Sequence, residues 1–177
     1  MDIIQRPSLR SDGRHTVDRV TIHAMAEFLD FDPHDIPAYD FLQERGLSAH
    51  YLVTPSGCAQ QCLADGQIGR HAGKGLNKGN IGIEILVPGL HTYATFTKAI
   101  MQRDWVGQEA WNATVELVRR LRGLYGLRDR LTQKETTDGR EVSTDEWLVR
   151  HSDICPGRKV DPGGGFDWEQ FKKEVYT

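Results

Sequence analysis

The segment HSDICPGRKVDPG, residues 151–163, carries three side chains that could do chemistry together. His151 and Asp161 lie ten positions apart with Lys159 between them, and another histidine, His23, closes the segment DRVTIH. Two imidazoles and one carboxylate, with a position left open for water, are the ligand set of a catalytic zinc site. If the loop is extended from Lys159 to Asp161, both side chains point to the same face, and the ammonium could stabilise an oxyanion.

The same residues also have simpler interpretations. A histidine at a strand end is often a surface or hydrogen-bonded residue, and PGRKVDPG could form a turn. His23 and Glu27 have the spacing of a helical metal pair, although the alternation of Val20 and Ile22 with polar neighbours favours a strand. Glu84 places a charge at the end of an apolar segment, where it needs either a salt-bridge partner or a chemical role. Spacing alone leaves both interpretations open.

The elements that must position these residues alternate between strands and helices. Patterns of period two or continuous apolar character predict strands at 18–23, 48–54, 80–86 and 147–151, with His23 and His151 at strand ends. A short helix is predicted within 34–47, with Asp35 or a neighbour as its cap and Gly46 past its end. Apolar residues every three or four positions predict a long amphipathic helix over 106–125. This alternation favours an α/β fold with a mixed sheet.

Two segments lack such patterns. Residues 65–80, DGQIGRHAGKGLNKGN, are too rich in glycine for regular structure, and long loops of this kind are often functional. Residues 128–146 are polar and without periodicity, so we expect a disordered insertion there, with a partner-binding or substrate-capping role as the alternative.

Composition narrows the class of protein. With 177 residues, of which 38% are hydrophobic and 27% charged, the chain is expected to form one domain. A net charge of −3 argues against a nucleic-acid partner, and no apolar run approaches membrane-spanning length. The N-terminal segment lacks the apolar core of a signal peptide, so we expect synthesis in the cytoplasm. The three cysteines are expected to be reduced thiols.

Five segments resemble one known family. In chain order they are VTIHAM, SAHYLV, RHAG, NIGIEIL and HSDICPGRKVDPGGGFDW. Together they are similar to the zinc-dependent N-acetylmuramoyl-L-alanine amidases of the type 2 family, relatives of T7 lysozyme and the peptidoglycan recognition proteins. The branch with the anhydro-muropeptide amidases and many phage endolysins is the most similar. The resemblance implies a single amidase domain over 1–177, with a core over about 5–175, a central mixed β-sheet flanked by helices, and a zinc cleft on one face.

The resemblance also implies a role for each matching residue. His23, His151 and Asp161 match the three ligands of one zinc ion per chain. Glu84 matches the acidic residue that assists the attacking water, and Lys159 matches the lysine that steadies the tetrahedral intermediate. The implied reaction is hydrolysis of the amide bond between the lactyl group of N-acetylmuramic acid and L-alanine.

Three further residues are candidates for contact with substrate. His71 and Asn80 lie in or beside the glycine-rich loop, and Arg70 stands where many relatives have a tryptophan before HAG. His50 is expected to be structural instead. Cys155 is expected to be a small packing residue near the site, because Asp161 occupies the position of the third ligand.

The implied substrate is peptidoglycan or a soluble muropeptide. We favour a phage endolysin, which would reach the cell wall after holin action, over a cytoplasmic muropeptide-recycling amidase. The contrasting class is a non-catalytic peptidoglycan-binding or regulatory module. The complete ligand set, together with Glu84 and Lys159, favours an enzyme. A monomer is the expected form.

Overall fold

A mixed β-sheet divides the molecule into a core side and a cleft side. The computed structural model describes residues 2–27, 37–128, 133–137, 140–144 and 146–177. Its strands are β1 (Ile3–Gln5), β2 (Arg19–Glu27), β3 (Tyr51–Val53), β4 (Ala59–Gln61), β5 (Asn80–Leu90), β6 (Gln133–Thr137), β7 (Arg140–Thr144) and β8 (Leu148–Arg150). Its helices are α1 (Pro37–Glu44), α2 (Tyr93–Ala99), α3 (Gln108–Tyr125), α4 (His151–Ile154) and α5 (Trp168–Tyr176).

Six strands form the main sheet, in the order β1-β4-β3-β5-β2-β8. Only the β3–β4 pairing is antiparallel within this sheet; the other four pairings are parallel. β2 and β5 are its longest strands and pair at its centre, and β8 pairs with β2 at one edge. The expected α/β architecture with a central mixed sheet is therefore confirmed.

Side chains alternate between the two faces of the central strands, as the pleat requires. On the core side, Val20 and Ile22 of β2 and Ile81, Ile83 and Ile85 of β5 are fully buried in the largest apolar cluster, which also includes residues of α3 and α5. On the opposite side, β2 and β5 contribute residues to the cleft. A second, smaller apolar cluster packs α1 against that side.

The predicted long helix is α3. Its buried residues recur at helical spacing, and Gly126 ends it in the left-handed conformation with φ 59°, which glycine adopts without steric cost. Helix α5 packs against α3 through Phe171 and Val175. Arg122 of α3 donates hydrogen bonds to the carbonyls of Val175 and Tyr176, which lie in the last turn of α5. These bonds satisfy carbonyls that have no partner within a helix.

Several predicted boundaries were wrong. β2 continues past His23 to Glu27 because residues 24–26 pair in register with residues 85–87 of β5, so His23 lies inside a strand. This extended backbone also excludes the helical pair of His23 with Glu27. His151 is the first residue of α4, directly after β8, and Asp35 lies outside the described residues.

Other elements were not predicted at all. β1, β4 and α2 have too few apolar residues at a regular period to be recognised from pattern alone. In α5, Trp168, Phe171 and Val175 stand at helical spacing, and this signal was overlooked. The expectation of a disordered insertion at 128–146 was wrong for its described residues, where β6 and β7 form an antiparallel two-stranded sheet. Among the described residues, no helix combines the length and apolar character needed to cross a bilayer.

Candidate metal centre and cleft

The pairing of β2 with β5 places a histidine beside a glutamate on the cleft side. His23 and Glu84 are register partners in this parallel pair. Their side chains therefore point to the same face, and His23 Nδ1 lies 3.9 Å from Glu84 Oε1. Both side chains are buried.

The edge strand β8 places the second histidine at the same point. Ile22 pairs with Arg150, so His151, the next residue, begins α4 beside His23. The Nδ1 atoms of His23 and His151 are 2.9 Å apart. Ser152 N–H donates to the carbonyl of Asp161, which ties the following loop back to α4.

Asp161 completes a three-residue cluster. Its Oδ2 atom lies 3.0 Å from His151 Nδ1 and 3.5 Å from His23 Nδ1. His23, His151 and Asp161 are buried, and each offers one ligand atom within 4.8 Å of the others. The structure thus brings together three residues that are remote in the sequence.

The donor set of this cluster fits a zinc ion. Two imidazole nitrogens and one carboxylate oxygen lie within 4.8 Å of one another, and three protein ligands would leave a fourth position for water or substrate in a tetrahedral site. A cation between these atoms would accept lone pairs from the two imidazole nitrogens and from the Asp161 carboxylate oxygen, which otherwise lie close together. His151 Nε2 is buried and has no hydrogen-bond partner among the described residues, so contacts at Nδ1 must orient this ring.

Burial and proximity shift the protonation equilibria of the cluster. Burial lowers the pKa of His23 to about 4, and the neighbouring His151 acts in the same direction. Burial would raise the pKa of Asp161, but its interactions with the neighbouring His151 and His23 rings outweigh burial and hold that pKa well below its ordinary value. The cluster therefore favours a neutral His23 beside an ionised Asp161, the protonation states of metal ligands.

Glu84 has the opposite shift. Burial, followed by repulsion from the Asp161 carboxylate, raises the pKa of Glu84 to about 8, and Lys159 only partly opposes them. A carboxyl group with a pKa near neutrality can both accept and return a proton, as a general base and acid must.

A cleft of about 780 Å³ opens over the cluster. His23, His151, Asp161 and Glu84 line it on the sheet side, and Lys159 lines it from the same loop as Asp161. An apolar wall faces them, formed by residues of β2, α1, α2 and nearby loops: Met25, Phe41, Leu42, Leu47, Tyr93 and Phe96. The cleft thus combines a polar centre with an apolar side.

Arg70 lines the same cleft in a fixed position. Its Nε donates to Asp12 Oδ2 at 2.7 Å, and this hydrogen bond holds the pKa of Asp12 below its ordinary value. Sequence reasoning did not identify Asp12, because 58 positions separate the two residues and neither lies in a regular element that would predict their contact. Lys74, four positions after Arg70, adds another cation to a lining that also includes Arg158 and Lys159.

Asn80 does not reach the cleft and is fully buried. Its Oδ1 accepts a hydrogen bond from the Thr21 hydroxyl, and its Nδ2 donates to the Leu76 carbonyl. The prediction that Asn80 contacts substrate is therefore corrected, because both polar ends of its side chain are used inside the protein.

The two histidines near β5 differ in their surroundings. His50 is buried, accepts a hydrogen bond from Gly82 N–H and faces the Gln67 carbonyl through Nε2, which agrees with a structural role. His71 is half-buried and lines the cleft, with its Nδ1 atom 3.0 Å from His23 Nε2.

Cys155 is buried and does not line the cleft. Its side chain is buried in a small apolar cluster with Ala72, Leu76, Val149 and Ile154. Among the described residues, the cluster of possible metal ligands contains Asp161 and not Cys155. All three cysteines are free thiols, as expected.

Solved structures with this fold include the following three proteins. LysC, an N-acetylmuramoyl-L-alanine amidase from Clostridium intestinale, has a TM-score of 0.68 and 16% identity, covering 100% of this chain and 99% of its own. Drosophila peptidoglycan recognition protein SD has a TM-score of 0.63 and 18% identity, covering 94% and 90%. AmiD from E. coli, in complex with anhydro-N-acetylmuramic acid-L-Ala-D-gamma-Glu-L-Lys, has a TM-score of 0.63 and 21% identity, covering 93% and 60%.

Two sequence comparisons gave different results. No curated protein matches the chain significantly. The profile of the Amidase_2 family, N-acetylmuramoyl-L-alanine amidase, matches residues 13–164, which include every residue of the polar centre. The chain therefore belongs to the N-acetylmuramoyl-L-alanine amidase family of enzymes.

Proposed function

We propose that the protein is a zinc-dependent hydrolase of the amide bond between the lactyl group of N-acetylmuramic acid and L-alanine, in peptidoglycan or muropeptides. One observation carries this proposal. In a chain of the amidase family, two histidines and an aspartate meet beside a buried glutamate at the base of an open cleft. The proposal treats residues 1–177 as one amidase domain, with its core over about 5–175 and an insertion at 128–146.

His23, His151 and Asp161 would hold one zinc ion. When bound, zinc supplies Lewis acidity, which polarises the substrate carbonyl and lowers the pKa of water. These ligands leave the cleft side of the cluster accessible, and His23 and His151 are kept in place by the β2–β5 and β2–β8 pairings. A site positioned by strands holds its geometry better than one on free loops.

Glu84 would move the proton. Its Oε1 accepts a proton from the attacking water as the bond between the water oxygen and the carbonyl carbon forms. The same carboxyl then protonates the L-alanine nitrogen as the carbon–nitrogen bond breaks. The products are a free lactyl carboxylate and a peptide with a free amine. The raised pKa of Glu84 suits it to both transfers.

Lys159 would stabilise the negative charge that develops on the carbonyl oxygen. Its ammonium group lies on the cleft lining with Asp161 and acts electrostatically on both Glu84 and His23. A fixed positive charge near a developing oxyanion lowers the barrier because it interacts more strongly with the transition state than with the ground state.

Arg70 is the proposed substrate-facing residue on the glycine-rich loop. His71 lines the same cleft, but its ring nitrogens face His23 and the Asn80 carbonyl. Asp12 fixes the Arg70 side chain in advance, which reduces the ordering cost when substrate binds. An arginine at this position favours a substrate that carries carboxylates, as muropeptide stems do.

The biological setting that we favour is a phage endolysin. It is supported by the similarity to the endolysin amidase LysCS from Clostridium intestinale, which covers 99% of this chain and 96% of its own. A cytoplasmic recycling amidase is the second candidate, since the similar AmiD structure is a complex with an anhydro-N-acetylmuramic acid peptide as substrate. Activity on intact sacculi but not on soluble anhydro-muropeptides would support the endolysin, and the reverse would support recycling.

The decisive experiment joins metal analysis with product analysis. Purified protein is assayed for zinc, then incubated with peptidoglycan before and after chelation, and the products are identified by mass spectrometry. We expect one zinc per chain and chelator-sensitive release of peptides with a free L-alanine amine. Binding of peptidoglycan without cleavage would instead identify a non-catalytic recognition module.

A further inference from the structure

His71 belongs to a chain of hydrogen bonds that ends at one of the metal ligands. His71 Nε2 lies 3.2 Å from the Asn80 carbonyl oxygen, and His71 Nδ1 lies 3.0 Å from His23 Nε2. On its other side, His23 Nδ1 faces Asp161 and His151 in the metal cluster.

The chemistry of these partners determines where each proton sits. A carbonyl oxygen can only accept, so the Asn80 carbonyl requires a proton on His71 Nε2. A neutral imidazole has one N–H, so His71 Nδ1 must then be an acceptor. His23 Nε2 therefore donates to it, which leaves the lone pair of His23 Nδ1 directed at the metal position.

We infer that His71 is a positioning residue that fixes the tautomer and ring orientation of His23 for metal binding. This role differs from the substrate contact that the sequence suggested, and it rests on the proposed zinc function. A ligand histidine commonly donates its second N–H to a partner outside the metal site, and loss of that partner typically weakens metal binding 10-fold to 100-fold.

The position of His71 in turn depends on a residue without a side chain. A Cβ atom on Gly82 would lie 2.5 Å from the Cγ and Nδ1 atoms of the His71 ring, closer than side-chain atoms can approach. Gly69 packs against the same ring, where a Cβ would lie 3.0 Å from Cδ2. Gly82 shares the cleft side of β5 with Glu84, so the glycine in NIGIEIL forms the slot that receives this imidazole.

Backbone and side-chain hydrogen bonds hold Asn80, whose carbonyl is the acceptor at the end of this series of hydrogen bonds. Asn80 is the first residue of β5, and its side chain bonds to Thr21 of β2 and to the Leu76 carbonyl. The Asn80 carbonyl is therefore fixed by the same strand pair that carries His23 and Glu84. In contrast, His151 Nε2 has no comparable partner among the described residues.

The test measures zinc affinity by competition with a chromophoric chelator for the wild type, H71A, G82A, the double variant H71A/G82A, and H71N. We expect a 10-fold to 100-fold loss for H71A. G82A should show a similar loss, with little further loss in the double variant, because both act through the same ring. The amide oxygen that H71N introduces would keep an acceptor near the position of Nδ1, so this variant should recover most of the affinity.

A matched control and a spectroscopic readout separate positioning from general destabilisation. H50Q changes a neighbouring buried histidine whose ring nitrogens face backbone groups, and it should leave zinc affinity within about threefold of the wild type. Long-range ¹H–¹⁵N NMR of the metal-free protein should show His23 protonated at Nε2 in the wild type and a mixture of tautomers in H71A.

Two results would overturn the inference. One is an H71A variant that binds zinc as tightly as the wild type. The other is a wild-type His23 protonated mainly at Nδ1, which decides the question even if H71A does not fold. A wild type that binds no zinc would refute the proposed function itself and is distinguishable from both.

Discussion

At the scale of single residues, replacement of Glu84 should separate a loss of catalysis from a loss of metal binding. It lies 3.9 Å from His23 but is not one of the three clustered ligands. We expect E84A to retain zinc and to lose about 10²–10⁴-fold in kcat, because only proton transfer is removed. Zinc content by mass spectrometry and turnover of a muropeptide check both parts. Near-normal turnover in E84A would exclude Glu84 as the base.

Arg70 should act mainly on substrate binding. It lines the cleft away from the metal cluster, so R70A is expected to raise KM about 10-fold while kcat changes little, as for the loss of one charge-assisted contact. K78A is the matched control, since Lys78 is an exposed cation of the same loop outside the cleft lining. Equal KM values for R70A and the wild type would show that the Arg70 side chain does not contact substrate.

His50 should make the stability of the protein sensitive to acid. Burial lowers its pKa from 6.5 to about 4. Between these values the unfolded chain binds a proton that the folded chain does not, so the free energy of unfolding falls as the pH falls from 6.5 to 4. From pH 8 to pH 5 the expected contribution is about 2 kcal/mol. Urea unfolding of wild type and H50Q at both pH values measures it, and equal losses in both proteins would contradict the assignment.

At the scale of elements, α5 depends on its packing against α3. Phe171 is fully buried there and contacts the rings of Trp111 and Phe166. We expect F171A to lower the free energy of unfolding by about 3–5 kcal/mol, through lost burial and a residual cavity. The control is E169A, which changes an exposed residue of the same helix. A loss below about 1 kcal/mol in denaturant unfolding of F171A would mean that α5 adds little to the core.

The elements also show how far the sequence predicts the fold. β2, β5 and α3 carry long apolar patterns because each is buried along most of its length, and all three were recognised. β1 and β4 span three residues each, too few to establish a period. α2 carried a usable signal that was overlooked, since Thr92 and Thr95 form a capping box at its start.

The same contrast holds for the site. The candidate metal cluster lies in segments whose residue types and order could be matched to a family, so its members were named from the sequence. The bond between Asn80 and His71, the bond between His71 and His23, and the Asp12–Arg70 pair depend on how loops pack across the sheet. No periodicity or motif encodes such contacts, and His71 was accordingly assigned to substrate.

At the scale of the whole molecule, zinc binding should stabilise the folded protein, because the zinc site exists only in the folded state. The proposed ligands come from β2, from the start of α4 and from the loop after it, so they meet only in the folded chain. Zinc at 100 times its Kd should therefore raise the free energy of unfolding by about 2.7 kcal/mol. Calorimetry with and without chelator checks this expectation, and an unchanged Tm would indicate that no zinc binds the native state.

The pairing of β8 with β2 has a practical consequence for engineering. Division of the chain between β6 and β7 would leave His23 and Glu84 on one fragment and His151, Lys159 and Asp161 on the other. The fragments would share a sheet edge and the α3–α5 contact, but neither would hold the complete site. The fold thus offers a route to a split reporter, in which hydrolysis signals that two fused partners have met.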